Sequence, residues 1–204
     1  MFELSGKYLG IDIDGCINDI EKFKQSRMYI YAKNLGVTKT KNINGYYLDE
    51  VFEGMSKEDA LNFWKEHYFE LLALEPRPYA KEVISKLRSE DAKIWIISSR
   101  NDDITPDNFY GRIYDLTKEY LSRHGIVYDK LSMDVHDKAS FCKLNNISCM
   151  VEDSPYNITG LAKSGITTLS FFAGHNSNIK GENIYSVNNW LGIYFTLHRI
   201  YDVK

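Results

Sequence analysis

An apolar run near the N-terminus, Tyr8-Leu9-Gly10-Ile11, continues into Asp12-Ile13-Asp14-Gly15, so a segment suited to a fully buried strand stops on two carboxylates. An ionised carboxylate removed from water is costly unless it is paired or bound to a cation. In an open α/β sheet, ligands collect at the carboxyl ends of the strands. Side chains two residues apart leave a strand on the same face, so Asp12 and Asp14 can converge on one metal or one substrate atom. Gly15 lets the chain turn sharply after them. An ordinary strand followed by an Asx turn would show the same residues, and the rest of the chain has to decide between the two.

From Tyr79 onward, helix-like segments alternate with short apolar runs. The pattern predicts a helix over 80–88 and a buried strand over 92–98. Thr105-Pro106-Asp107 supplies an N-cap, a proline at the first helical position and an acid in the first turn, opening a helix that ends near His124-Gly125. Beyond it the pattern predicts a strand over 130–133, a helix over 137–144, a strand over 147–151, a helix over 155–163 and a strand over 166–172. Residues 183–204 add a last strand and a helix beginning near Asn188-Asn189-Trp190. Such alternation argues for a parallel sheet covered on both faces by helices.

Residues 17–75 have a different character. Phe23, Met28, Tyr31 and Leu35 recur at near-helical spacing, with Gly36 as a stop. Residues 38–47 are polar and read as loop. Ser56-Lys57-Glu58-Asp59 forms a capping box that opens one helix through Leu61, Trp64, Tyr68 and Leu72, ended by Glu75-Pro76-Arg77-Pro78. The expected organisation is therefore an α/β, Rossmann-like core made of residues 1–16 and 76–204. A small helical cap, residues 17–75, is inserted after the first strand.

At 204 residues the chain suffices for one core domain and a modest insertion. Its net charge of −3 provides no broad basic field, which argues against a nucleic-acid polymer as partner. A small phosphorylated substrate would have to be held by a few local cations and a metal. Three cysteines, Cys16, Cys142 and Cys149, cannot all pair within the chain, which fits a reducing, cytoplasmic setting. Residues 1–7 lack the basic start and apolar middle of a leader, and no apolar stretch is long enough to span a bilayer. The five histidines show no metal-ligand spacing, and His136 reads as a surface residue at the rim of a site.

Three further segments carry chemistry. Ile94-Trp95-Ile96-Ile97 ends in the hydroxyls of Ser98 and Ser99, with Arg100 next. Asp137 reads as an N-cap, which places Lys138 in a first helical turn where the helix dipole opposes a cation. A lysine there suggests a neighbouring anion, or else a solvent-exposed side chain with a small screened penalty. Cys149-Met150-Val151 ends on Glu152-Asp153, which alone would also suit a capping turn before Ser154-Pro155.

In order and context, these four segments resemble the four motifs of the haloacid dehalogenase-like (HAD) phosphohydrolases, across nearly the whole chain. The resemblance implies that Asp12 attacks phosphorus to form an aspartyl-phosphate, while Asp14 protonates the leaving oxygen and later activates water. Dehalogenases of that superfamily lack the second aspartate, so Asp14 favours phosphate over carbon–halogen chemistry. Ser98, helped by Ser99 and Arg100, and Lys138 would hold the phosphoryl oxygens. The implied cofactor is Mg2+, held by the Asp12 carboxylate, the backbone carbonyl of Asp14 and Asp153, with Glu152 acting on metal-bound waters. Cys16 stands where the family commonly has Thr. Gly10-Ile11-Asp12-Ile13-Asp14-Gly15, Ile97-Ser98-Ser99-Arg100, His136-Asp137-Lys138 and Glu152-Asp153-Ser154 are further similar to bacterial relatives of the 5'(3')-deoxyribonucleotidases. That likeness implies a nucleoside monophosphate substrate, and the aromatic side chains of the insertion offer faces on which a base could stack. A phosphomutase, a phosphatase of another small metabolite such as a sugar phosphate, and a non-catalytic binding module on the same fold remain the alternatives.

Overall fold

The computed structural model describes residues 6–201. The expectation that no leader is present falls largely on residues 1–5, which lie outside the described part, as do residues 202–204 of the expected last helix. Six strands form one sheet: β1 (Tyr8–Ile11), β2 (Lys93–Ile97), β3 (Lys130–Ser132), β4 (Ile147–Glu152), β5 (Thr167–Phe171) and β6 (Ile184–Val187). Their spatial order is β3-β2-β1-β4-β5-β6 and every pairing is parallel. The α/β architecture expected from the alternation is the one observed.

Parallel strands need covered crossovers; helices α5 (Ala80–Ser89), α6 (Ile113–Arg123), α7 (Lys138–Leu144) and α8 (Pro155–Lys163) supply four of them, and α9 (Trp190–Tyr201), after β6, adds further cover to the sheet. Period-two alternation divides the core between the two faces of the sheet. Leu9, Ile11, Ile94, Ile96 and Val151 pack with Val83, Ile84 and Leu87 of α5 and with Ile193 and Leu197 of α9. Trp95, Ile97 and Met150 pack with Cys142 of α7 and Leu161 of α8. The central strands are therefore apolar on both faces, and the first polar side chains to leave them do so at the carboxyl ends.

Between β1 and β2 the chain forms α1 (Ile20–Asn34), α2 (Leu48–Val51), α3 (Lys57–Glu66) and α4 (Tyr68–Leu72). These helices enclose a second apolar cluster that includes Met28, Tyr31, Leu48, Phe52 and Phe63. The two chain crossings into this segment lie side by side, since Asn18 and Pro76 form an antiparallel bridge. Arg77 clamps the crossing by donating from Nε to the carbonyls of Gly15, at 3.0 Å, and Asn18, at 3.1 Å.

Two helix expectations need correction. The helix opened by the Ser56 box, whose side chain accepts from Asp59 N, is interrupted at His67. There the imidazole Nδ1 donates to the Phe63 carbonyl at 2.8 Å, sharing it with the His67 backbone N–H at 3.1 Å, and the φ of −102° and ψ of 15° at His67 leave the helical range. Thr105-Pro106-Asp107 opens only a single 3-10 turn, Asp107–Phe109, and α6 begins later, at Ile113. The Asp102 carboxylate accepts from both Thr105 Oγ1 and Gly111 N, which ties the intervening residues into a loop, and Gly111 sits at φ +81°. No helix of the described residues is long and apolar enough to cross a membrane.

Candidate active site

Strand order reverses between β1 and β4, the place where an open α/β sheet leaves a crevice at the carboxyl ends. Asp12 follows β1 there and Glu152-Asp153 ends β4, so two sequence segments far apart in the chain become neighbours. The link between them is Lys138. Its Nζ lies 2.7 Å from Asp12 Oδ1 and 2.8 Å from Glu152 Oε2, and the side chain is 1% exposed. Asp137 caps α7 by accepting from Ser140 N at 3.0 Å, so Lys138 does stand in a first helical turn. The two carboxylates are the anions that its position there calls for. Burial pulls the Lys138 ammonium down, but Asp12 and Glu152 more than reverse this and hold it above the ordinary lysine value. Burial also pushes the Asp12 carboxyl well up, Lys138 pulls it back, and the nearby charges of Glu152, Asp153 and Asp14 add to the rise.

Glu152 faces the protein on every side. Its Oε1 accepts from the backbone N–H groups of Asp153 and Ser154, and its Oε2 from Lys138 and from Asn157 Nδ2. It is the counterion that seats Lys138, and it orders the turn after β4.

Asp14 has a partner that the resemblance does not give it. Arg100 donates from Nε to Asp14 Oδ2 and from Nη2 to Oδ1, each at 2.6 Å, a bidentate fork across 86 residues of sequence. Asn18 Nδ2 adds a bond to Oδ1 at 2.9 Å. Burial alone would raise the Asp14 carboxyl, but the charge and bonds of Arg100, with the Asn18 bond, hold it below the usual carboxylate range. The carboxylate is thus kept ionised. Ser98 is buried at the end of β2, and its hydroxyl oxygen accepts from Arg100 N at 3.2 Å, leaving its proton free to be donated. Ser99 donates its own hydroxyl proton to the Val135 carbonyl at 2.8 Å.

Asp153 sits against the turn that follows Asp12. Gly15 has φ +86°, and a Cβ placed on it would come within 2.1 Å of Asp153 Oδ2, so only glycine admits this approach. Ligand atoms of Asp12, Asp153 and Cys16 all lie within 4.8 Å of one another. Burial, then the charges of Asp153 and Asp12, push the Cys16 thiol well up, so the carboxylates are the charged donors. Asp12 shares Lys138 with Glu152, while Asp153 Oδ1 is buried without a hydrogen-bond partner. Burial raises the Asp153 carboxyl to about 6 against the opposing effect of His175. Crowded hard oxygens with an orphaned acceptor fit a cation such as Mg2+. Asp12, Asp153 and the Asp14 backbone carbonyl are the groups that would hold it.

His175 is the residue that sequence reasoning missed. It lies just beyond β5, with Nε2 3.1 Å from the Asp153 carbonyl and Nδ1 3.5 Å from Glu21 Oε2 of α1. The signal for it was its place after a strand end, not any spacing among histidines. His136, read as a rim residue, is two-thirds exposed and pairs with Asp134.

A cavity of about 790 Å³ lies over the site, with Glu152, Cys16 and His175 outside its lining. Asp12, Asp14, Ser98, Ser99, Arg100, Lys138 and Asp153 form its floor. Lys24, Tyr46, Tyr47, Leu61, Trp64 and Leu71 of the inserted segment wall the other side.

No family model matches the sequence, and no curated protein matches it. Solved structures do match the fold. A haloacid dehalogenase-like family hydrolase from Streptococcus pneumoniae superposes with a TM-score of 0.62 at 14% identity, covering 93% of this chain and 97% of that one. β-Phosphoglucomutase from Clostridium difficile gives 0.61 at 15% identity, covering 96% of each chain. A HAD-hydrolase from Bacillus subtilis, solved bound to magnesium, gives 0.57 at 13% identity over 95% of this chain and 99% of that one. With its strand order, its crevice between β1 and β4 and these neighbours, the chain has the haloacid dehalogenase-like α/β fold.

Proposed function

We propose that this protein is a Mg2+-dependent phosphomonoesterase that works through an aspartyl-phosphate on Asp12, with a nucleoside monophosphate as substrate. The observation that carries the reading is Lys138 held between Asp12 and Glu152, a buried cation pinned beside the carboxylate that would attack. Asp12 forms the new O–P bond as the leaving oxygen departs. Lys138 and the Ser98 hydroxyl face the oxygens of the transferring group, where charge builds up. Mg2+, when bound, supplies further charge neutralisation on those oxygens. Asp14 in its ionised form is suited to take the proton of the water that later opens the aspartyl-phosphate. Delivering a proton to the leaving oxygen requires the Arg100 fork on Asp14 to open.

Residues 1–16 and 76–204 are, in this reading, the catalytic core, and residues 17–75 a cap that excludes water and reads the leaving group. The composition of the wall supports a neutral, aromatic leaving group. Lys24 is the buried cation that the insertion brings to the cavity, and its protons are taken by Glu21 and by the Gly45 and Tyr46 carbonyls. Around it stand the apolar faces of Leu61, Trp64 and Tyr47, the acids Asp49 and Glu50 and the exposed Lys57, so a second phosphate would meet two acids and one solvent-facing cation. The net charge and the enclosed cavity fit a small molecule better than a nucleic-acid polymer. Three buried free cysteines suit a reducing cytoplasm.

Phosphomutase action is the second reading, favoured by the fold shared with β-phosphoglucomutase. A panel of nucleoside monophosphates and sugar phosphates, assayed with and without Mg2+, separates the readings. Hydrolysis that needs Mg2+ and is fastest on nucleoside monophosphates supports the first. Transfer to a sugar phosphate outpacing transfer to water supports the second. Asp12→Asn is expected to fall to background on every substrate, and activity surviving in it would remove Asp12 as the nucleophile.

A further inference from the structure

A chain of buried charges runs from the candidate metal ligand into the inserted segment. Asp153 accepts at its backbone carbonyl from His175 Nε2, at 3.1 Å, and from Asn176 Nδ2, at 2.8 Å. The same Nε2 lies 3.4 Å from Asp153 Oδ2, which leaves Oδ1 as the oxygen without a partner. The other ring nitrogen of His175 faces Glu21 Oε2 at 3.5 Å. A carbonyl can only accept, so Nε2 carries a proton; Nδ1 makes no hydrogen bond and meets the Glu21 carboxylate as a charge contact, which favours the protonated ring. Glu21 Oε2 in turn lies 2.8 Å from Lys24 Nζ, one helical turn along α1. Lys24 then donates to the carbonyls of Gly45 and Tyr46 at 3.2 and 3.0 Å, which fills its three donor positions.

The segment at the end of this chain also rests directly on the histidine. The Tyr46 ring packs edge-on against His175 with centroids 4.9 Å apart. A Cβ on Gly174 would come within 2.5 Å of Asn44 Oδ1, so residues 44–46 lie on residues 174–175 without space between them. The side chains of His175, Lys24 and Asp153 are each under 5% exposed. With Glu21 16% exposed between them, these contacts form a largely buried ionic connection between a sheet end and a loop from another part of the fold, through which a shift at one end is felt at the other.

We propose that His175 is a positioning residue for Asp153, and that through Glu21 and Lys24 it ties this carboxylate to residues 42–47, which wall the substrate cavity. The proposal rests on the reading of Asp153 as a Mg2+ ligand. His175 engages one oxygen of Asp153 and turns the other toward the cation, and groups in that relation to a metal ligand govern affinity without touching the metal. Coupling is reciprocal. Mg2+ bound at Asp153 steadies residues 42–47, and loosening those residues weakens Mg2+.

The test uses the whole chain without substrate. Calorimetric titration with Mg2+ is compared for wild type, His175→Gln, Glu21→Gln and Lys24→Met, with circular dichroism and thermal melting confirming that each is folded. Glu21→Gln is expected to weaken Mg2+ roughly tenfold, the range seen when a ligand loses its orienting partner. Glu21→Asp, which keeps the charge, is expected to recover part of this loss. In parallel, Mg2+ is expected to slow tryptic cleavage after the exposed Lys41 in wild type and to leave it unchanged in Glu21→Gln. Folded Glu21→Gln and Lys24→Met that bind Mg2+ as wild type does, or a wild-type cleavage rate indifferent to Mg2+, would overturn the proposal. A wild-type chain that binds no Mg2+ by calorimetry would fail differently, because it removes the metal reading and this proposal with it.

Discussion

Lys138 is the residue whose removal the site can least absorb. It is 1% exposed and is the cation bonded to both Asp12 and Glu152. Taking it away leaves two largely buried carboxylates without their shared cation, and breaking a buried ion pair in this way costs about 3–5 kcal/mol. Lys138→Met keeps the apolar stem and is expected to lower metal-free stability by roughly that amount in urea denaturation, along with loss of phosphatase activity. Stability matching wild type would mean that the carboxylates take up protons at little cost. The lysine was legible in the sequence through its place among the four motif-like segments, since a cation in a first helical turn also suits a solvent-exposed side chain. Arg100 and His175 were not legible in the same way. Each owes its role to an acid distant in sequence, Asp14 in one case and Asp153 in the other, and nothing local to Ser98-Ser99-Arg100 or Gly174-His175-Asn176 names that partner. Serine hydroxyls at a strand end carried the reverse ambiguity. Ser98 keeps a proton to donate, while Ser99 gives its own to Val135.

Among the elements, the buried strands were readable because a parallel sheet demands near-continuous apolar runs, and β1, β2 and β4 each have one. Helix starts were readable where a side chain caps them, as at Ser56 and Asp137. They were not where a carboxylate outside the helix holds the chain in a loop, as Asp102 does with Thr105 and Gly111. The contact between the inserted segment and the core depends on pairs of this second kind. Tyr156, in the first turn of α8, stacks on Tyr47 with centroids 5.9 Å apart and donates its hydroxyl proton to Glu50. Glu50 also accepts from the N–H groups of Tyr46 and Tyr47, so the tyrosine anchors the turn that bears both cavity aromatics. Tyr156→Phe keeps the stacking and removes the anchor. It is expected to raise KM several-fold while changing kcat little, measured in steady-state kinetics on the best substrate of the panel. Equal falls in kcat and kcat/KM would place Tyr156 in the transition state instead of in the wall.

At the scale of the whole molecule, the fold gathers Asp12, Asp14, Glu152 and Asp153 at one end of its sheet and offsets them with Lys138, Arg100 and His175. The balance changes with pH through the two groups that titrate within the accessible range. Burial raises Asp153 to about 6, and the two acids around His175 raise it to about 9 in spite of burial. The histidine contributes stability that is fully present below its unfolded value of about 6.5 and is lost as pH rises through the folded value. Between about pH 5 and about pH 7 the folded ring stays charged, and its contribution begins to decline as the unfolded ring loses its proton near 6.5. Asp153 behaves in the opposite sense to a salt-bridged carboxylate. Its folded value lies above the unfolded value of about 3.9, so the folded state takes up the proton first and metal-free stability falls as pH rises from about 4 to about 6. Mg2+ binds only the ionised form, and a ligand that binds the folded state alone stabilises it in proportion to RT ln(1 + [L]/Kd). Added Mg2+ should therefore raise the melting temperature clearly at about pH 7 and little at about pH 5, where Asp153 holds a proton that the cation must displace. Thermal melts at the two pH values, each with and without Mg2+, measure this difference. Asp153→Asn should abolish it, and an increment of the same size at both pH values would mean that Asp153 does not bind the cation.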